Sequence, residues 1–175
     1  MQPFFSPRKL WPGGGPYPHF IIELGGHPGF TAFARGYREY LAPCAGALGI
    51  VPDEWLHATV QGIFQPAGRE QMEQLGAAAR RELAGMAAFD VEAGPARVGQ
   101  TAVTVYLYPK DGMAELAGRL RAAAGSVPGI ALRPPDGEFF AHATLAYSRL
   151  DWDARQLDQS VKAEPVRRAS ITISH

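Results

Sequence analysis

Cysteine is almost absent from this 175-residue chain, where Cys44 stands alone. A single thiol forms no internal disulfide and no thiolate metal cage. Its neighbours Ala42, Pro43 and Ala45 fit a small packed side chain. Net charge is absent too, since 17 basic residues balance 17 acidic ones. Proteins that grip long nucleic acids draw on a basic excess, because neutralising phosphates drives that binding. Neutrality argues against an extended nucleic-acid footprint and favours a small substrate or one end of an RNA. No apolar run approaches the roughly 20 residues that span a bilayer. Residues 1–15 are rich in proline and glycine and carry no apolar segment of the kind a signal peptide needs. Together these absences predict a cytoplasmic protein with no membrane association.

What is present is ordinary globular material. Apolar residues make up 46% of the chain, enough for a real core, and 20 glycines and 15 prolines imply frequent sharp turns. The pattern predicts an irregular arm over 1–18 and a single domain over 19–175. Strands are expected at 19–24, 55–64, 89–93, 96–101, 102–108, 139–148 and 166–174, from alternation or β-branched and aromatic content. Helices are expected at 30–41, 68–86 and 111–124, the last with Asp111 as N-cap, and a helical turn at 151–159. The fold class that follows is α/β or α+β, with mainly antiparallel sheet.

Two strands carry the same tripeptide: His57-Ala58-Thr59 and His142-Ala143-Thr144. Two His-x-Thr copies arise in roughly one shuffled sequence in a hundred of this composition, so the doubling is signal. The second lies 85 residues after the first (142 − 57). The same offset carries the strand at 19–24 into the one at 102–108, and the helix at 30–41 onto the one at 111–124. Each half therefore runs strand, helix, then a strand bearing His-Ala-Thr, which predicts two pseudo-symmetric lobes around a central cleft.

Two histidines that face one phosphate can divide the proton work. One takes a proton from the attacking water or hydroxyl, and the other gives one to the departing oxygen. Displacement at phosphorus runs in line, so acid and base belong on opposite sides. A threonine two residues along the strand points to the same side as its histidine and can hold a non-bridging oxygen. The scheme calls for no metal and no cofactor. Zinc ligation by the two histidines is a rival reading, but no third ligand is evident in the sequence.

The segments Leu56-His57-Ala58-Thr59-Val60 and Ala141-His142-Ala143-Thr144-Leu145 resemble the paired motifs of the two-histidine phosphoesterase superfamily. The nearest branch is that of the bacterial 2′-5′ RNA ligase-like proteins and RNA cyclic phosphodiesterases. The resemblance implies two lobes of antiparallel sheet with outer helices, and a cleft lined by His57, Thr59, His142 and Thr144. It also implies hydrolysis of a 2′,3′-cyclic phosphate to a 2′-phosphate, or chemistry at a 2′-5′ linkage, on a nucleotide or RNA end. Two positions depart from the family. Tyr147 stands where many members have arginine, with Arg149 two residues later, and Gln61 stands where some relatives have lysine.

Around the motifs, Gln61 is a candidate hydrogen-bonding partner of substrate and Arg149 a candidate phosphate contact. Phe20 and Phe140 are candidate stacking platforms for a nucleobase, although packing in the core is the plainer role for each. An alternative from another class is a non-catalytic nucleotide or RNA-end binder on the same scaffold. The sequence leaves open which histidine is acid and which is base, the physiological substrate, and the oligomeric state.

Overall fold

The computed structural model describes residues 1–5, 17–134, 137, 139–165 and 167–174. Among these, the strands are β1 (His19–Glu23), β2 (Leu48–Ile50), β3 (His57–Gly62), β4 (Phe89–Val98), β5 (Ala102–Tyr108), β6 (His142–Ser148) and β7 (Ala169–Ile173). All pair antiparallel in one sheet, in the order β1-β3-β6-β5-β4-β7, and β2 joins the far part of β6. The helices are α1 (Pro28–Gly36), α2 (Arg38–Leu41), α3 (Arg69–Leu83), α4 (Lys110–Gly125) and α5 (Arg155–Ala163). Among the described residues, no helix is long and apolar enough to cross a membrane.

One face of the sheet makes the core. Ala58, Val60, Val91, Val103, Val105, Leu107, Ala143, Leu145 and Ile171 are buried, and they cluster with Phe30, Leu75, Met113 and Leu120 from the helices. Against that face α4 lies on β3 and β5, α1 on β7, α5 on β4, and α3 packs beside α4. Helices segregated to one side of an antiparallel sheet define an α+β architecture and leave the other sheet face open.

The expected two-part repeat is visible as an approximate two-fold in the sheet. At its centre Ala58 of β3 pairs with Ala143 of β6, two residues that are themselves 85 apart (143 − 58). The two halves share one continuous sheet. The outer strands, however, follow a different offset. Ile21 and Glu23 flank β3 as Thr104 and Tyr106 flank β6, a spacing of 83 (104 − 21, 106 − 23). Register irregularities at Phe20/Ile21 and at Val103/Thr104 accompany this slip. Beyond β5 the symmetry ends: β4 covers the outer edge of β5 and β7 covers β4, while among the described strands none covers the outer edge of β1.

Several sequence expectations shift. The helix expected at 30–41 breaks at Tyr37 into α1 and α2. The strands expected at 89–93 and 96–101 are the single strand β4, with a register irregularity between Ala93 and Ala96. There Gly94 adopts φ +119, and a β-carbon would meet the Arg167 carbonyl oxygen at 2.5 Å, so glycine is required. Asp111 is not the cap of α4. Pro109 holds that position, and Asp111 sits in the first turn, where its charge complements the helix dipole. The turn expected at 151–159 is the helix α5, and β2 was not anticipated. The irregularity beside Thr104 also turns the end of β6 over. Ala146 and Ser148, expected on the face of His142, are fully buried. Of the arm expected at 1–18, residues 6–16 lie outside the described residues. The first five residues lie against the body, with Phe4 donating to the Ser148 carbonyl at 2.8 Å and its ring against Tyr147.

The irregularity in β4 depends on a distant side chain. Tyr37 is buried, and its hydroxyl accepts a hydrogen bond from the Ala96 amide at 3.2 Å. Tyr37→Phe leaves that buried amide without this partner, which costs about 1–3 kcal/mol. In urea unfolding the midpoint should fall accordingly with an unchanged slope. An unchanged midpoint would show that the amide finds another partner.

Candidate active site

The side chains of β3 and β6 alternate between the core and the open face. Ala58 and Ala143 point into the core and are both fully buried. His57, Thr59, His142 and Thr144 therefore project from the open face. One antiparallel step to either side of the alanine pair sets His57 opposite Thr144 and Thr59 opposite His142. The four make a quadrilateral with the histidines on one diagonal and the threonines on the other. Opposed β-carbons in such a ladder lie roughly 5 Å apart and diagonal ones about 7–8 Å, a spacing that lets both rings reach one phosphate. His142 is exposed and the other three are half-buried.

Both rings are held the same way. Nδ1 of His57 lies 2.7 Å from the Trp55 carbonyl oxygen, and Nδ1 of His142 lies 3.0 Å from that of Phe140. A carbonyl oxygen can only accept, so Nδ1 must carry the proton that is shared. Each Nε2 is not engaged by that carbonyl. It accepts a proton when the ring is neutral and donates one when the ring is charged.

The turn before β3 is fixed from two sides. Asp53 accepts from Arg35 at 2.7 Å and also from Arg38, which ties the short Asp53–Trp55 turn to α1 and α2. On the other side, a β-carbon at Gly25 would meet the Asp53 carbonyl oxygen at 2.3 Å, so the end of β1 can close on this turn only without a side chain. Trp55 and the ring of His57 inherit their placement from this junction.

The surroundings of the two histidines differ. Glu23 is the strand neighbour of His57, and Tyr106 is that of His142. The Tyr106 ring meets both His142 and Phe140 edge-on, with centroids 6.4 Å apart in each case. Arg97 places its guanidinium 5.7 Å from the Tyr106 ring centre, and Lys110 its ammonium 4.1 Å from that of Phe140. Among the described residues, no three of histidine, cysteine, aspartate and glutamate gather closely enough to hold a metal ion.

The other residues singled out from the sequence divide into two groups. Gln61 is half-buried in β3, and the register irregularity there pairs it with Phe20, a residue packed against the core, so it does not simply share the face of Thr59. Its side-chain amide donates to the Gly62 carbonyl at 2.7 Å. Phe140 is exposed two residues before His142. Phe20 and Arg149 do not join this group. Phe20 lines an apolar hollow of about 400 Å³ between β1 and β7, floored by Leu83, Met86, Leu116 and Leu120 and containing neither motif histidine. Arg149 follows the last residue of β6, roughly 20 Å along the strand from His142 at about 3.3 Å per residue. Its guanidinium lies over Gly49 of β2. Sequence reasoning passed over Trp55, Glu23, Thr104 and Arg97. For Trp55 a signal existed, because it precedes its histidine by the same two residues as Phe140.

The ring geometry has a spectroscopic consequence. In the neutral state both His57 and His142 should show the Nδ1-protonated tautomer in ¹⁵N correlation spectra of the side chains, the less common form for a free imidazole. Nε2-protonated patterns at either ring would mean that its carbonyl contact does not persist in solution.

Residues 18–174, nearly the whole chain, match the model of the 2′-5′ RNA ligase superfamily. No curated protein matches the chain in sequence. Solved structures share its fold. The structure of TT0787 of Thermus thermophilus is 18% identical with a TM-score of 0.62, over 91% of this chain and 80% of that one. E. coli LigT complexed with 3′-AMP is 19% identical with a TM-score of 0.59, over 88% and 81%. The MHV ns2 PDE domain is 12% identical with a TM-score of 0.56, over 89% and 96%. The paired His-Ala-Thr strands, the sheet that joins them and the match along the chain's length agree: this chain belongs to the 2′-5′ RNA ligase superfamily of two-histidine phosphoesterases.

Proposed function

We propose that this chain is a metal-independent phosphodiesterase that acts on RNA-type 2′,3′-cyclic phosphate ends or 2′-5′ linkages. The observation that carries the reading is the quadrilateral of His57, Thr59, His142 and Thr144, with both Nδ1 atoms occupied and both Nε2 atoms left for substrate. The nucleotide held by LigT, 3′-AMP, is a ligand of the class that reading requires.

The phosphate sits over the alanine pair. One imidazole, neutral, takes the proton of the attacking water or neighbouring hydroxyl through Nε2. The other, charged, gives its Nε2 proton to the oxygen that departs. The threonine hydroxyls donate to the non-bridging oxygens and hold the charge that develops on them. Because the histidines occupy opposite ends of a diagonal, they approach phosphorus from opposite sides, as in-line displacement demands. After one turnover the two rings have exchanged protonation states, and the reverse reaction starts from that exchanged pair. Gln61 and Phe140, each two residues from a motif residue in the chain, contact the ribose or base.

A direct assay offers a nucleoside 2′,3′-cyclic phosphate or a 2′-5′-linked dinucleoside monophosphate in the presence of EDTA. Turnover should persist in the chelator. His57→Ala and His142→Ala should each lower kcat roughly 100- to 10,000-fold. Thr59→Val and Thr144→Val, which remove a hydroxyl but keep the shape, should each cost roughly 100-fold. Loss of activity in EDTA, or histidine variants with undiminished turnover, would overturn the proposal. Binding without any turnover would instead favour a non-catalytic role.

A further inference from the structure

A row of polar residues crosses the open face and runs past the quadrilateral. Glu23 of β1 pairs with His57 of β3, and His57 stands opposite Thr144 of β6. Thr144 pairs with Thr104 of β5, and Thr104 with Arg97 of β4. Thr104 lies between Val103 and Val105, both fully buried, so its side chain projects from the face of Thr144. A contact shows where Arg97 points. Its guanidinium lies 5.7 Å from the centre of the Tyr106 ring, and that ring lies 6.4 Å from the ring of His142. One aromatic ring thus separates this cation from a motif histidine. Arg97 is exposed, and among the described residues no carboxylate pairs with it. Arg168, just before β7, is by contrast ion-paired with Glu92 of β4. A guanidinium held against a ring gives up little freedom when it binds, and it keeps its fork of N–H donors for an anion.

We propose that Arg97 and Thr104 form a second anion subsite. It takes a phosphate on the 5′ oxygen of the nucleoside whose cyclic phosphate lies over the alanine pair. The proposal rests on the phosphodiester reading above and adds a specificity element to it. The row is polarised, with a carboxylate at the Glu23 end and an unpaired guanidinium at the Arg97 end. A substrate with two anionic groups lies with the second one away from Glu23 and toward Arg97. The Arg97 backbone is two strand spacings, about 10 Å, from that of Thr144, and its side chain leans back over Tyr106. One nucleoside with a phosphate at each end bridges that gap. Arg97 donates to the 5′-phosphate through its fork, and the Thr104 hydroxyl donates one more hydrogen bond. The same contacts serve a terminal 5′-monoester and the first internucleotide diester of an RNA, since both hang on the same oxygen.

The test compares three substrates: adenosine 2′,3′-cyclic phosphate, its 5′-phosphorylated form, and adenylyl-(3′-5′)-adenosine ending in a 2′,3′-cyclic phosphate. The second carries the 5′-phosphate as a monoester and the third as a diester. Each should exceed the first in kcat/KM by roughly 10- to 100-fold, as a charge-assisted contact provides. Arg97→Gln should remove most of that advantage, chiefly through KM, and Arg97→Lys should keep part of it. Thr104→Val should reduce it roughly 2- to 10-fold. An equal loss on all three substrates would show that Arg97 acts through the histidines or the fold, and would overturn the subsite. An advantage confined to the dinucleotide and insensitive to Arg97→Gln would belong to the second base, and would overturn it too. Calorimetric titration of the wild-type protein needs no turnover. Adenosine 3′,5′-bisphosphate should bind roughly 10- to 100-fold more tightly than adenosine 3′-phosphate at low salt, and Arg97→Gln should abolish the difference. That result in a protein that hydrolyses none of the three substrates would overturn the catalytic reading and leave the subsite standing. Equal affinities beside normal turnover would overturn the subsite and leave the catalysis standing.

Discussion

The pairing of Ala58 with Ala143 is the contact on which the site depends. A strand shows alternate residues to opposite faces, so the faces of the histidines and threonines are decided by where the alanines go. The alanines lie in the core, with α4 packed on β3. A slip of one residue in β3 or β6 would bury an imidazole and a hydroxyl and set alanine in water. Burying such groups without partners costs several kcal/mol, so the apolar requirement of the core also enforces the arrangement of the polar face. Antiparallel pairing of two identical tripeptides about their middle residues is two-fold symmetric by construction. Each histidine therefore meets the threonine of the other strand, and a group placed over the axis meets one copy of each residue from either side.

That symmetry is local, and its limits matter as much as its presence. The histidine strands repeat at 85 residues and the outer strands at 83, because the irregularities in pairing on either side do not match. The slip gives His57 a carboxylate neighbour, Glu23, and His142 a phenol neighbour, Tyr106. Farther out, β4 and β7 both stack on the β5 side, and the edge of β1 faces the apolar hollow in which Phe20 sits. Two chemically equal histidines thus occupy unequal surroundings. That inequality lies in the neighbours and not in the motif.

Much of this was legible in the sequence. The strand expected at 102–108 is β5 with the same ends, since a β-branched and aromatic run bounded by Gly99 and Pro109 admits little else. The His-Ala-Thr alternation gave the open face of β3 and the start of β6 correctly, because apolar neighbours on both strands agree on which side is core. What was illegible depends on partners remote in the chain. The three residues of β2 are too few to carry a period, and they form a strand only because β6 offers an edge. The end of β6 turns over because of its register with β5, which places Ala146 and Ser148 in the core against the simple alternation. Phe20 was drawn to the hollow by the same helices that fill the core. Arg149 looked close in sequence, but an extended strand carries seven residues a long way. Trp55 was hidden by its turn, a 3₁₀ segment whose position is set by Asp53, Arg35, Arg38 and the bare backbone at Gly25.

The balance of charge over the whole chain has a counterpart on the open face. Two cations, Arg97 and Lys110, lie over the rings of Tyr106 and Phe140, on the side of His142. On the other side Glu23 adjoins His57. A face of mixed sign attracts a highly charged anion less than a uniformly basic one does. A phosphodiester carries a single negative charge, whereas a phosphomonoester approaches two at neutral pH. Uniform positive charge would hold the product of diester hydrolysis more tightly than the substrate. A mixed face lacks that bias, because a carboxylate beside His57 opposes retention of added negative charge. A face of mixed sign thus exerts little long-range attraction on a polyanion, in keeping with the balance of charge over the whole chain.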